Sequence, residues 1–83
     1  MAASRKDIEG WFVAGKADEN NTHMIVLCDT YDWEDFPIYV TKDQDARTVA
    51  QAEDGRNMQQ LMEVYNLSID MNAQLDARRV FNY

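Results

Sequence analysis

The sequence predicts a small α+β domain made of an N-terminal helix, a two-stranded antiparallel hairpin, a short helix and a long C-terminal helix. Apolar residues recur at helical spacing near the start of the chain and again from 58 to 79. Between these stretches lie two runs rich in β-branched and aromatic residues, which are typical of strands. The chain has 83 residues and no linker or repeat, so we expect one domain spanning 1–83.

The first helix is expected from about residue 5 to residue 17. Ser4 followed by Asp7 resembles a capping box, in which the two side chains satisfy free N–H groups at the helix start. The residues that then recur at helical spacing are Ile8, Trp11, Phe12 and Gly15. A polar run at 18–21 separates this helix from the first strand.

The first strand is expected at 22–31. Its centre, 24–28, is apolar at every position. A run of this kind predicts burial on both faces, as in a central strand or in a strand covered by a helix on one side and by another subunit on the other.

A second strand is expected at 36–41, after a polar loop at 29–35. Pro37 should lie at the start of the strand or at a sheet edge, because proline cannot donate a ladder hydrogen bond. The residues that should share one face are Phe36, Ile38 and Val40. Tyr39 should lie on the other face. The two strands are close enough in sequence to form an antiparallel hairpin.

Two further helices are expected in the second half of the chain. Asp43 or Asp45 should cap a short helix that ends at Gly55. Asn57 should then cap a long helix at 58–79.

The long helix would carry two apolar stripes, of which only one can pack on the sheet. The stripes are Met58, Leu61, Met62, Tyr65 and Ile69, and Val64, Leu67, Met71 and Leu75. The second stripe would cover the first helix or another subunit, and because so small a core is marginal we expect a homo-oligomer. The alternative is that Asn66 breaks the helix and Ser68 starts a new one.

The charge balance is acidic, with 15 acids against 8 bases and a net charge of −7. This argues against direct binding to nucleic acid, which requires a basic stripe. The longest apolar run, 24–28, is far shorter than the roughly 18 residues of a membrane span, and no apolar signal core follows the first residues. We therefore expect a cytoplasmic protein that does not contact membranes.

The segment 29–35 is the main candidate for a partner-binding site. Its aromatic and acidic residues are Asp29, Tyr31, Asp32, Trp33, Glu34 and Asp35. Together they predict a recognition patch for a basic protein surface, although a purely solvated loop is the alternative. The carboxylates could also attract a divalent cation, as in a small metal-dependent hydrolase, but the segment lacks the glycine and the closing glutamate of a calcium loop. We predict neither a metal ligand nor a cofactor.

A second candidate site uses the basic residues. Arg56 and the free N–H groups after Asn57 could hold a phosphate, since helix N-termini attract anions. With Tyr65, Arg78 and Arg79 from neighbouring subunits, such a site would sequester a small, for example cyclic, nucleotide. Ordinary helix capping with a solvated arginine is the alternative.

Catalytic motifs are not evident in the sequence, so we predict a non-enzymatic protein without catalytic residues. His23 and Cys28 lie five positions apart on one strand and so on opposite faces, which disfavours a nucleophilic pair. Glycine-rich phosphate loops and metal-binding helix motifs are missing as well.

Four stretches carry a resemblance to other proteins, namely 22–32, 34–40, 57–59 and 62–65. In these stretches, which span most of the chain, the sequence resembles a group of small acidic proteins found in phage and prophage genomes. The resemblance carries over no activity and no functional residue. It implies an accessory or counter-defence factor, an inhibitor that binds and occupies a component of the host cell.

Overall fold

The computed structural model describes residues 3–77 and 79–83. The helices are α1 (Arg5–Lys16), α2 (Ala46–Glu53) and α3 (Met71–Asp76), and the strands are β1 (Asn21–Asp29), β2 (Glu34–Thr41) and β3 (Gln59–Asn66). A single 3-10 turn, Arg56–Met58, precedes β3. The strands form one antiparallel sheet in the order β2-β1-β3.

Helices cover both faces of the sheet. The face under α1 and α3 holds the buried residues Phe12, Met24, Val26, Tyr65, Leu67 and Val80. The face under α2 holds Ile25, Leu27, Val40, Ala46, Ala50 and Val64. Alternate residues of β1 supply both clusters, so this strand is the centre of the fold.

The first four predicted elements are confirmed with small shifts at their ends. Ser4 and Asp7 form the capping box of α1, and Asp45 caps α2 by accepting from the N–H of Thr48. β1 and β2 form the expected antiparallel hairpin, and residues 24–28 are all buried. Pro37 lies in β2, which is an edge strand of the three-stranded sheet.

The prediction of a two-stranded sheet followed by a long helix at 58–79 is wrong. Residues 59–66 form β3, which pairs along the free side of β1, and the final helix is short. The register between β1 and β3 shifts at Val26 and Leu27, which is the mark of a β-bulge. Around the bulge the apolar residues on each face of β3 are three positions apart, Leu61 with Val64 and Met62 with Tyr65. A spacing of three is also the spacing of a helix face, so the bulged strand has the apolar pattern of a helix.

The predicted helix cap at Asn57 is also wrong. Asn57 has φ 51° and ψ 42°, a left-handed conformation inside the turn before β3, and no α-helix follows it. The alternative prediction, that a break occurs at Asn66, agrees better with the structure, because β3 ends at this residue. The helix that comes next begins at Met71 rather than Ser68, and Asp70 caps it by accepting from the N–H of Ala73.

A second subunit is not needed to cover the second apolar stripe in this fold. The stripe that seemed to need a second subunit is divided between the two faces of the protein's own sheet. The accessible surface of 5269 Å² is close to the roughly 5,100 Å² that the mass of the chain predicts for a folded monomer. The homo-oligomer therefore stays a prediction, and covering the apolar stripe no longer gives a reason for it. No helix in residues 3–77 and 79–83 is long and apolar enough to cross a membrane.

Residues 80–83 run beside β3 and form a parallel bridge between Phe81 and Val64. The N–H of Val64 donates to the carbonyl of Val80 at 2.8 Å, and the N–H of Asn82 donates to the carbonyl of Val64 at 3.0 Å. Tyr83 packs on the α2 face of the sheet with the guanidinium of Arg47 4.2 Å from its ring centre.

Candidate binding surface

Two loops meet at one end of the sheet. Asp29 ends β1 and pairs with both Glu34, the first residue of β2, and Gln59, the first residue of β3. The loop after β1 and the turn before β3 therefore lie side by side, and we call residues 29–35 and 55–58 together the tip. Thr30 joins the two parts, since its N–H (2.8 Å) and its hydroxyl (2.7 Å) both donate to the carbonyl of Met58.

The backbone of the tip is in unusual conformations. Among the described residues, positive φ angles occur at Trp33 (60°), Asn57 (51°), Met58 (60°) and Gly55 (81°), and all four belong to the tip. Left-handed backbone is uncommon for large side chains and requires support from the surrounding structure. Here the N–H of Trp33 donates to the carbonyl of Asp29 at 2.7 Å, which closes the loop.

Three large apolar side chains project from the tip into solvent. Tyr31 is 80% exposed, Trp33 60% and Met58 59%. Tyr31 and Trp33 come from the loop and Met58 from the turn, so the pairing of β1 with β3 is what brings them to one end of the molecule. Clustered exposed apolar groups on a small protein are typical of interaction sites.

The acids of the tip are held by hydrogen bonds from the backbone. Asp29 accepts from the N–H of Tyr31 (2.8 Å), Asp32 from the N–H of Glu34 (3.3 Å) and Asp35 from the N–H of Ala3 (3.1 Å). The ion pairs within residues 3–77 and 79–83 are Arg5–Glu9, Arg5–Asp76 and Arg56–Glu53, so none neutralises these carboxylates. The negative charge around the aromatic residues is therefore available to a partner.

The residues of the second candidate site lie apart within one chain. Arg56 is in the tip and pairs with Glu53 at 3.6 Å, while Tyr65 lies near the far end of β3, about 20 Å along the strand. Burial raises the pKa of the Tyr65 phenol, and the neighbouring Glu63 carboxylate, whose Oε1 accepts from the Tyr65 hydroxyl at 2.9 Å, raises it further. Arg79 lies 5.8 Å from the ring centre of Phe81.

The second candidate site also included Arg78 and Asn57. Arg78 lies outside the described residues. Asn57 offers no helix N-terminus for a phosphate, because the chain continues from it into a strand. The anion site therefore lacks the helix N-terminus on which it was argued, and anion binding by Arg56 stays a prediction.

The geometry gives no support to catalysis by His23 and Cys28. The two residues are five positions apart on β1, which corresponds to about 17 Å along the strand. Burial raises the pKa of the Cys28 thiol, the opposite of what a nucleophile requires. In the described part of the chain, no three or more His, Cys, Asp or Glu side chains form a group that could hold a metal ion.

Two open grooves lie near the end of the sheet opposite the tip. One, of about 500 Å³, lies between α1 and α3 and is lined by residues that include Phe12, Val13 and Met71. The other groove, of about 460 Å³, is lined mainly by polar residues, among them Lys16, His23 and Lys42. Neither groove contains a residue that the sequence singled out for partner or ligand binding.

Sequence reasoning missed Thr30, Gly55 and Met58 as parts of the tip. The Gly55-Arg56-Asn57 run is a turn signal that could have been recognised. Comparison of the chain with models of protein families, with curated proteins and with solved structures finds no match.

Proposed function

We propose that this protein is a non-enzymatic binding protein that occupies a protein component of its host cell through the tip. One observation carries the proposal, namely that Tyr31, Trp33 and Met58 are 59–80% exposed on two adjoining loops that hydrogen bonds join. Aromatic residues and methionine are enriched at protein interfaces and often dominate binding energy.

Fixed geometry supports binding by this surface. The Thr30 and Trp33 hydrogen bonds hold the loop before a partner arrives, so little conformational entropy is lost on association. The unusual φ angles at Trp33 and Met58 place large side chains where smaller residues would be more stable. Such positions are often retained for function.

The charge of the tip indicates the kind of partner. Asp29, Asp32, Glu34 and Asp35 flank the two aromatic residues of the loop in sequence, and none has an ion pair in the described part of the chain. A partner surface with lysine or arginine would be attracted and oriented by this field. The resemblance to small phage proteins adds the proposal that the partner belongs to host defence.

The proposal is tested by affinity capture from a host lysate, followed by quantitative mass spectrometry. Immobilised wild-type protein is compared with Trp33→Ala and Asp32→Lys, and Val13→Ala serves as a control because Val13 is 61% exposed away from the tip. Circular dichroism verifies that each variant is folded. We expect the same host protein on the wild type and on Val13→Ala, and its loss from both tip variants.

Two results would contradict the proposal. Equal capture by all four proteins would show that the tip is not the binding surface. In native mass spectrometry of the lysate-treated protein, a gain of a few hundred daltons without any captured protein would favour sequestration of a small nucleotide instead.

A further inference from the structure

Met58 is the most exposed methionine in the part of the chain that the structure describes. It is 59% exposed, whereas Met24 is fully buried. Met62 and Met71 are half-buried and pack against the apolar cluster under α1 and α3. An oxidant dissolved in water therefore has better access to Met58 than to the other three.

Hydrogen bonds fix the backbone on both sides of Met58. Its carbonyl accepts from the N–H of Thr30 at 2.8 Å and from the Thr30 hydroxyl at 2.7 Å. Within the turn, the N–H of Gly55 donates to the carbonyl of Gln59 at 2.8 Å, and the N–H of Gln59 donates to the carbonyl of Arg56. This framework holds Met58 at φ 60° and keeps its side chain at the surface before any partner binds.

The sulfur of Cys28 is protected from the same oxidant. Cys28 is 6% exposed, and its thiol donates to the carbonyl of Asp29 with the sulfur 3.7 Å from the oxygen. Burial raises the pKa of the thiol, so little of the reactive thiolate forms. A thioether reacts without losing a proton, so this protection does not extend to Met58.

We propose that Met58 is a site of reversible oxidation by hydrogen peroxide, and that its sulfoxide weakens the binding of the partner by the tip. This regulation rests on the proposed function, because it concerns the same surface. In the reaction a lone pair of Sδ attacks one peroxide oxygen, so that an S–O bond forms while the O–O bond breaks. The departing hydroxide takes the proton of the S–OH group, which leaves the sulfoxide and water. The sulfur is oxidised by two electrons and the peroxide is reduced by two.

The sulfoxide changes the tip from apolar to polar at one position. Met58 lies on the same surface as the exposed rings of Tyr31 and Trp33, where an apolar thioether favours burial by a partner. A sulfoxide oxygen that is buried without a hydrogen bond opposes association, and we expect affinity to fall about tenfold. Because sulfoxide reductases restore methionine, binding would follow the oxidant level of the host cell.

Peptide mass spectrometry of the whole folded protein, treated with hydrogen peroxide and then with catalase, tests the selectivity. We expect Met58 to gain one oxygen at least about fivefold faster than Met24, Met62 and Met71. In urea the four rates should converge, because unfolding removes the protection of the other three. Circular dichroism should show that the oxidised protein stays folded. Equal rates at Met58 and Met62 in the folded protein would overturn the proposal.

Capture from a host lysate tests the effect on binding. Wild type, Met58→Leu and Met71→Leu are immobilised, treated with peroxide or left untreated, and freed of peroxide before the lysate is added. Capture by the wild type and by Met71→Leu should fall about tenfold after treatment. Methionine sulfoxide reductase should then restore it. Met58→Leu, whatever its own affinity, should capture equally with and without treatment.

The capture experiment separates failure of the regulation from failure of the proposed function. Equal capture by treated and untreated wild type would overturn the regulation and leave the proposed function intact. A loss of capture that treated Met58→Leu shares would assign the effect to another residue and would also overturn the regulation. If untreated wild type captures no host protein, the proposed function fails and the regulation fails with it.

Discussion

The ring of Tyr39 occupies the space that a side chain at Gly15 would need. A Cβ at Gly15 would lie 2.8 Å from Cδ1 of the tyrosine, closer than such atoms approach in proteins. The Tyr39 hydroxyl donates to the carbonyl of Trp11 at 2.7 Å. Helix α1 therefore lies directly on β2, and the glycine permits this close approach.

Gly15→Ala should destabilise the protein by about 1–3 kcal/mol, because the added methyl group forces the Tyr39 ring or the helix to move. Gly10→Ala in the same helix is the matched control. Its Cβ would meet nothing within 4 Å, so we expect a gain of about 0.5–1 kcal/mol from helix propensity. Urea unfolding measures both, and equal stability of the two variants would contradict the predicted close contact.

Met58→Gly should stabilise the protein but weaken partner capture. At φ 60° a residue with a Cβ loses about 1–2 kcal/mol, whereas the extra freedom of glycine in the unfolded chain costs about 0.4–1 kcal/mol. The net gain should lie between about 0 and about 1.6 kcal/mol, measured by urea unfolding. Tyr31→Gly, in the same surface but outside the positive-φ residues, should destabilise. A lower stability of Met58→Gly would show that its backbone conformation carries no strain.

Glu63→Gln should make the protein more stable at neutral pH. Burial raises the pKa of Glu63, with smaller lowering effects from the Tyr65 hydroxyl and Arg79. The folded state thus binds the proton more tightly, and the contribution of Glu63 to stability decreases as pH rises from its unfolded pKa through its folded one. Glutamine still accepts the Tyr65 hydrogen bond without a buried charge.

Urea unfolding at about pH 7 and about pH 4 tests this prediction, because the advantage of glutamine should shrink once Glu63 is protonated. Glu19→Gln, at an exposed position, controls for the change in net charge. A destabilised Glu63→Gln at neutral pH would mean that attraction to Arg79 outweighs burial.

Gln74→Leu should destabilise the protein by about 1–3 kcal/mol, since it removes the side-chain partner of the Asn66 N–H and of the Ile69 carbonyl. Gln74 is 3% exposed. Its amide accepts from the N–H of Asn66 at 2.9 Å and donates to the carbonyls of Asn66 at 2.9 Å and Ile69 at 3.1 Å. Gln51→Leu on the exposed side of α2 should change stability by less than about 0.5 kcal/mol. Similar urea midpoints for the two variants would refute this role of Gln74.

Local signals were sufficient to predict α1, the hairpin and α2. Ser4 with Asp7 and Asp45 with Thr48 form caps within a few residues of sequence, and the apolar run of β1 marks its burial. β3 escaped prediction because its bulge spaces apolar residues by three and because its first half is rich in helix-forming residues. The apolar run of β1 predicts that both faces of the strand are covered, but it does not indicate how many strands pair with its edges.

The candidate site was predictable only where it is continuous in sequence. Tyr31, Trp33 and the acids around them belong to one loop, whose composition stands out. Met58 comes to the same surface through the pairing of Asp29 with Gln59, a tertiary contact that no local pattern reveals. The left-handed conformation of Trp33 was equally unpredictable, because sequence rules expect glycine or asparagine at such a position.

The central place of β1 has a consequence for the order in which the chain folds. Its partner β2 begins after a four-residue loop, so this hairpin can form early at little cost in loop entropy. Its other partner, β3, is synthesised only after α2, and until then one edge of an almost wholly apolar strand lacks its partner. During synthesis on the ribosome the half-made sheet is therefore the most aggregation-prone stage. Docking of β3 is the step at which a chaperone would be most useful and at which folding mutations should be most severe.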